Sequence, residues 1–141
     1  MSELLEGAVK LLELQGKMAF QEGATEEQIA RFENENGITF PPEYREWLHF
    51  SDGGECFVPT GVQFYGVKHK PLINVDEEDR PDEKYIVIGA LPNGDPILCK
   101  KDGDHRISIY NHEAGTIEND EIFQSFFVFL INLKKILGIG E

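Results

Sequence analysis

The 141 residues of the chain, 40% of them hydrophobic, are enough for one compact domain and too few for two ordinary ones. Acidic residues outnumber basic ones 26 to 13, and the resulting net charge of −13 repels nucleic acid and anionic membranes, which excludes both as expected partners. The charge favours a basic protein partner, or else it serves only to keep the protein soluble.

The chain begins with a predicted amphipathic helix. Leucines and other apolar residues recur at helical spacing from about Ser2 to Met18 and form one narrow stripe. We expect this stripe to pack on the core of its own domain, as the apolar stripe of any surface helix does. Packing on another molecule stays open as the alternative.

Residues 24–54 predict two further helices and a turn. Thr25 and Gln28 have the spacing of a capping box at the start of the first helix, and the glycine at position 37 ends it. Pro42 suits the first turn of the second helix, because proline lacks only an amide that has no partner there. The aromatic face of this helix and the exit turn that follows comprise Tyr44, Trp47, Leu48, Asp52, Gly53 and Gly54.

The middle of the chain predicts a largely antiparallel sheet of about five to six strands. The predicted strands are rich in β-branched and aromatic residues, and Asn93-Gly94 and Asp102-Gly103-Asp104 are hairpin signals between them. Residues 68–84 lack this regularity and carry a run of acidic residues, so we expect a loop there. The predicted strands cover residues 56–58, 62–67, 85–91, 96–100 and 106–110, with a short extended piece at 116–118.

The last predicted element is a long helix over about residues 120–137. It has acids in its first turn and Lys134 and Lys135 in its last, in agreement with the helix dipole, and its wide apolar face should pack on the sheet. The expected fold class is therefore α+β: a single domain over residues 1–141, with N-terminal helices and a long C-terminal helix packed against a twisted, mainly antiparallel sheet.

The order of these segments resembles the SUKH superfamily, whose members are similar to a yeast cell-wall assembly regulator. The resemblance covers roughly residues 24–137, preceded by an N-terminal helix over 1–20. It implies that a bacterial protein of this kind is an immunity protein, which binds and neutralises a toxin. The segments that carry the resemblance are FPPEYREWL at 40–48, SDGG at 51–54, IVIG at 86–89, NGDP at 93–96, ISIY at 107–110 with His112, and the apolar residues of 123–130.

The cellular location is predicted from what interrupts the apolar residues. Charges break up the N-terminal leucines, so we expect no secretion signal, and no apolar run approaches the roughly 18 to 20 residues that span a bilayer. Cys56 and Cys99 lie in predicted strands among apolar neighbours, which is typical of buried reduced thiols. We therefore expect a cytoplasmic protein without a disulfide.

Catalytic and cofactor patterns are not found in the sequence. None of the serines lies in a nucleophile elbow, no glycine-rich phosphate loop is present, and the histidines and cysteines lack the short spacing of a zinc site. We expect no enzyme activity, no cofactor and no metal.

The resemblance implies the function of a toxin-neutralising immunity protein, and the negative charge agrees with an acidic surface that meets a basic, nuclease-type toxin domain. The alternative is a non-enzymatic regulatory or scaffold module related to the cell-wall assembly regulators. The sequence leaves the oligomeric state and the identity of the toxin open, and the acidic loop has the alternative role of a solubilising segment. The candidate partner-binding residues are Asp76, Glu77, Glu78, Asp79, Asp82 and Glu83 in the loop and Asp52 and Glu55 beside the Gly-Gly turn.

Overall fold

The computed structural model describes residues 2–58, 61–68 and 83–138. Within these residues an antiparallel sheet of seven strands, in the same order in space as in the chain, packs against the helices through one main hydrophobic core. This architecture confirms the predicted α+β class. Five of the candidate partner-binding residues lie outside the described residues, namely Asp76, Glu77, Glu78, Asp79 and Asp82.

Three helices precede most of the sheet, and their predicted caps are present. The capping box of the second helix is complete, since Gln28 N donates to Thr25 Oγ1 over 3.1 Å and Thr25 N donates to Gln28 Oε1 over 2.9 Å. Gly37 ends that helix in the left-handed conformation, with φ of 63°. The helices are α1 (Glu3–Gln15), α2 (Glu26–Asn36) and α3 (Pro42–Phe50).

Every pair of neighbouring strands is antiparallel. The predicted number of five to six strands is too low, because the two edge strands have two residues each and are too short to show an alternating pattern in the sequence. The strands are β1 (Met18–Ala19), β2 (Gly54–Cys56), β3 (Val62–Phe64), β4 (Tyr85–Ala90), β5 (Pro96–Lys100), β6 (Ile107–Ile109) and β7 (Ile122–Phe123).

The long C-terminal helix predicted over residues 120–137 is wrong in its length and its start. Ser125 is the N-cap of the first helical piece, where its Oγ accepts from Val128 N over 3.3 Å, so the acids at the predicted start lie before the helix. Asn132 interrupts the helix with ψ near 2°, and its Nδ2 donates to Val128 O over 2.8 Å. The region consists of a 3-10 turn (Asn119–Glu121), β7, α4 (Phe126–Ile131) and α5 (Leu133–Ile136).

Aromatic rings from α3, β3 and α4 form the centre of the main core. Phe126 is fully buried and lies edge-on to Tyr44, Trp47 and Phe64, with ring centroids 4.9, 5.7 and 5.3 Å apart. Edge-to-face packing of this kind adds to the stabilisation from area burial alone. The aromatic face predicted for α3 is therefore the face that holds the helices on the sheet.

The two cysteines lie among buried residues, as the sequence predicts. Cys56 and Cys99 are free thiols, and burial raises the pKa of the Cys56 thiol to about 12. Val87, Leu98 and Tyr110 form a smaller cluster that is separate from the main core. Among the described helices, none is long and apolar enough to cross a membrane.

Candidate functional site

The Gly-Gly turn after α3 is fixed by a side chain of that helix and by the side chain of its C-cap residue. Trp47 Nε1 donates to the carbonyl oxygen of Gly53 over 3.0 Å, and Ser51 Oγ donates to the same oxygen over 2.9 Å. Gly53 and Gly54 have φ of 90° and 104°, a region that favours glycine. The turn and the aromatic helix therefore form one rigid unit at the start of β2.

Asp52 lies within this turn and faces inward. Its side chain is fully buried, and its two carboxylate oxygens accept from Val67 N over 2.6 Å and Lys68 N over 2.9 Å. Gly66 allows this approach, because a Cβ at position 66 would lie 2.3 Å from Asp52 Oδ1. With no exposed surface in this conformation, Asp52 positions the chain at residues 66–68 instead of presenting its carboxylate to a partner.

A cleft of about 390 Å³, here called the turn cleft, lies beside the Gly-Gly turn. Glu55 stands on β2 between Ala19 of β1 and Gln63 of β3, and its side chain is exposed. Two of the candidate residues, Asp52 and Glu55, are thus brought together, while Glu83 is exposed elsewhere and does not line the cleft. The lining residues are Gln21, Asp52, Gly54, Glu55, Gln63, Phe64, Tyr65 and Lys68.

Several acids on the helices are paired within the protein. Arg45 on α3 bridges Glu26 and Glu33 of α2, with N–O distances of 2.8 and 2.9 Å. His49 Nε2 lies 2.8 Å from Glu26 Oε2. Hydrogen bonds from Arg45 and then from His49 lower the pKa of Glu26 to about 2. These acids join α2 to α3, so they contribute less to an interaction surface than their number in the sequence indicates.

A second group of acids surrounds a cleft of about 310 Å³ at the other edge of the sheet, here called the C-terminal cleft. Asp95, Asp120 and Glu121 line it, and Lys135 is the cation among the lining residues. Partial burial raises the pKa of the Glu121 carboxyl, and the charges of Asp120, Asp95 and Glu118 raise it further. The neighbouring acids therefore repel Glu121, and a cationic group from a partner would relieve that repulsion, although Asp95 is already bonded to His112 within the protein.

The sequence did not predict this acidic group, although a signal was present. Asp120 and Glu121 match the first turn of the predicted helix, where the dipole explains them, so they draw no attention as a surface. In the structure this segment precedes Ser125 as a 3-10 turn. The turn at 93–96 brings Asp95 to the same cleft from a distant part of the chain, which only the folded sheet shows.

A metal site is not indicated by the described residues. Within 2–58, 61–68 and 83–138, the His, Cys, Asp and Glu side chains form no group of three or more that could hold a metal ion. What the arrangement offers is one exposed carboxylate at the turn cleft, that of Glu55, and at the C-terminal cleft the exposed Asp120 beside the partly buried Asp95 and Glu121.

Comparison with known families matches residues 23–132 to the SMI1 / KNR4 family (SUKH-1). The match covers α2 to α4 and six of the described strands, while α1, β1 and α5 lie outside it. The resemblance that the sequence shows is therefore confirmed. A comparison with curated proteins finds no match.

Proposed function

The chain belongs to the SMI1 / KNR4 family (SUKH-1), and on that premise we propose that it is an immunity protein, which binds a basic toxin domain and blocks its activity. Proteins of this family are non-enzymatic interaction modules with immunity or regulatory roles. The observation that carries the choice of a basic partner is the net charge of −13. Such a charge attracts a cationic surface and repels an anionic one.

The proposed toxin is of the nuclease type, because nucleases hold the phosphate backbone with Lys and Arg side chains. Carboxylates placed over that cationic cleft compete directly with the phosphates. Complementary charge of this kind accelerates association and selects the correct partner more than it adds affinity. We therefore expect the association rate to fall steeply as salt is added.

The contact surface proposed here combines exposed acids near the turn cleft with the acidic run of residues 76–83. Glu55 on β2 and Glu83 at the end of the run are its exposed members among the described residues. Asp52 supports this surface from inside by holding the amides of Val67 and Lys68, where the chain leads into the run. The acids of the C-terminal cleft form a second candidate surface for the same partner.

Charge reversal tests which surface is used. The toxin domain encoded next to this gene is purified, and its affinity is measured by calorimetry for the wild type and for Glu55→Lys/Glu83→Lys. Glu27→Lys/Glu35→Lys is the matched control, because it reverses the same amount of charge at exposed positions of α2. We expect the first variant to lose at least about tenfold in affinity, equivalent to about 1.4 kcal/mol, and the control to lose much less.

Three other results would change the proposed surface or the proposed function. Equal losses in both variants would show that only the overall charge matters and would remove the surface of Glu55 and residues 76–83 from the proposal. A loss confined to Glu118→Lys/Asp120→Lys would move the contact to the C-terminal cleft. If no protein encoded nearby is toxic or binds this chain, the immunity function is refuted in favour of a regulatory role.

A further inference from the structure

Helix α1 has a second apolar face that its own fold covers only in part, at Leu11. Leu5, Ala8, Val9 and Leu12 are buried in the core. On a neighbouring face, Leu4 and Leu14 are 71% and 85% exposed, the highest values for large hydrophobic side chains among the described residues. Leu4, Gly7, Leu11 and Leu14 have the alternating three- and four-residue spacing of a coiled-coil seam. One helix therefore presents one apolar face inward and another outward.

Gly7 lies in the middle of this outer face. Glycine in a helix interior is destabilising compared with alanine, so its presence there needs a reason. The fold supplies none, because a Cβ at position 7 would meet no described atom within 4 Å and the backbone is helical. A glycine between the exposed Leu4 and the partly buried Leu11 is explained if another chain approaches the helix closely at this point.

We propose that this chain forms a homodimer through antiparallel packing of α1 on α1 of a second copy. Setting Leu4 opposite Leu14 of the second copy brings Leu11 opposite its Gly7, and the two-fold axis repeats both contacts. A large side chain then meets a small one at the centre, while leucines meet at both ends. This complementarity of the face with itself favours a second copy over an unrelated helix as the occupant.

The charges flanking the seam fit the same antiparallel arrangement. Lys10 lies within one turn of the height of Glu6 from the second copy, and the symmetry gives this pair twice. The antiparallel helix dipoles also attract one another. Lys10 lies beside the two-fold axis, and Glu6 and Glu13 of its own helix offset its charge at i−4 and i+3.

The size of the contact predicts a weak dimer. At 1.5 Å per residue the 13 residues of α1 extend over about 20 Å, and one helix–helix contact of that length buries less area than the roughly 1,200–2,000 Å² of a stable interface. A dissociation constant on the order of 0.1 mM is expected for such a contact. Each copy carries a net charge of −13, so added salt should strengthen self-association by screening the repulsion.

Analytical ultracentrifugation of the purified full chain tests the proposal, at concentrations from about 10 μM to about 1 mM around the expected dissociation constant. We expect reversible dimerisation that becomes stronger from low to high salt. The salt dependence is opposite to that expected for toxin binding, and no toxin is present. Failure of the dimer is therefore distinguishable from failure of the proposed function.

Variants separate the face from the fold. Leu4→Glu/Leu14→Glu should weaken dimerisation at least about tenfold with an unchanged melting temperature, because both side chains are exposed. Asn34→Glu/Ala114→Glu adds the same charge at exposed positions outside α1 and should have little effect. Gly7→Gln should raise the melting temperature through its higher helix propensity and still weaken the dimer.

A size swap tests the antiparallel orientation. Gly7→Leu should weaken dimerisation by placing leucines opposite each other, and Gly7→Leu/Leu11→Ala should restore it, because residue 7 lies opposite residue 11 of the second copy only in the antiparallel register. The proposal is overturned if the wild type stays monomeric at about 1 mM in high salt, or if Leu4→Glu/Leu14→Glu dimerises as well as the wild type. Loss of dimerisation without rescue by the swap would refute the antiparallel register.

Discussion

Replacing the Asp52 carboxylate by an amide should destabilise the protein well beyond the usual effect of a polar substitution. Asp52→Asn changes the volume little, but it removes a charge that accepts two backbone hydrogen bonds, from Val67 N and Lys68 N. One of the two oxygens becomes an NH2 group, which faces a backbone N–H as donor against donor. A buried amide then loses its acceptor.

The size of the effect follows from these two bonds. A hydrogen bond to a charged group contributes about 1.5–3 kcal/mol, and a buried donor left without a partner costs about 1–3 kcal/mol. Two effects offset part of these costs. The asparagine still accepts one neutral hydrogen bond, and the variant no longer buries a charged carboxylate. We expect a net loss of about 2–3 kcal/mol in the free energy of unfolding, or a melting temperature lower by roughly 6–10 °C in a chain of this length.

Urea denaturation with fluorescence detection measures this loss. Asp102→Asn is the matched control, because Asp102 is exposed and accepts one backbone hydrogen bond, from Asp104 N over 3.1 Å. The control should change the free energy of unfolding by less than about 1 kcal/mol. Amide exchange at residues 67 and 68 should accelerate in Asp52→Asn. A destabilisation no larger than in the control, with unchanged exchange, would refute the positioning role of Asp52.

Three further predictions concern the close approach at Gly66, the N-cap of α4 and the pairing of Glu26 with Arg45. Gly66→Ala should destabilise by on the order of 2 kcal/mol in urea denaturation, because its Cβ would lie 2.3 Å from Asp52 Oδ1; an unchanged midpoint would show that the approach is loose. Ser125→Ala should lower the free energy of unfolding by about 0.5–2 kcal/mol, because it removes the N-cap of α4. A loss of this size in Asp120→Ala, with none in Ser125→Ala, would instead support the helix start that the sequence predicts near residue 120. The lowered pKa of Glu26 stabilises the fold at and above the unfolded-state value of 4.5, and this contribution should disappear as the pH falls from about 4.5 to about 2. Thermal melts across that range should show a smaller acid loss in Arg45→Met, and an equal loss would contradict the assigned pairing.

The helices before the sheet could be predicted because their signals are local. Thr25 and Gln28 cap α2 three residues apart, and Gly37 ends the helix with a conformation that glycine favours. The aromatic face of α3 likewise follows from spacing within one helix. The same locality explains the errors near the C-terminus, where Ser125 and Asn132 each fit within a continuous helical pattern although they cap and interrupt it.

The candidate site could be predicted only in part, since it depends on contacts between distant segments. The sequence shows a polar residue beside two glycines at 52–54, but it does not show that Val67 and Lys68 return to the carboxylate fifteen and sixteen residues later. Asp95 meets the acids at 118–121 only after the intervening strands have folded into the sheet. Charge could therefore be predicted as a property of the chain, whereas its distribution between paired and exposed acids required the structure.

Growth rescue is the most direct test of the central claim that this protein neutralises a basic toxin through its acidic surface. Cells expressing the toxin domain encoded beside this gene are grown with the wild type, with Glu55→Lys/Glu83→Lys or with the control Glu27→Lys/Glu35→Lys, at equal protein levels. The account predicts growth with the wild type and the control, and impaired growth with the Glu55→Lys/Glu83→Lys variant. Cells that die in the presence of folded wild-type protein would contradict it.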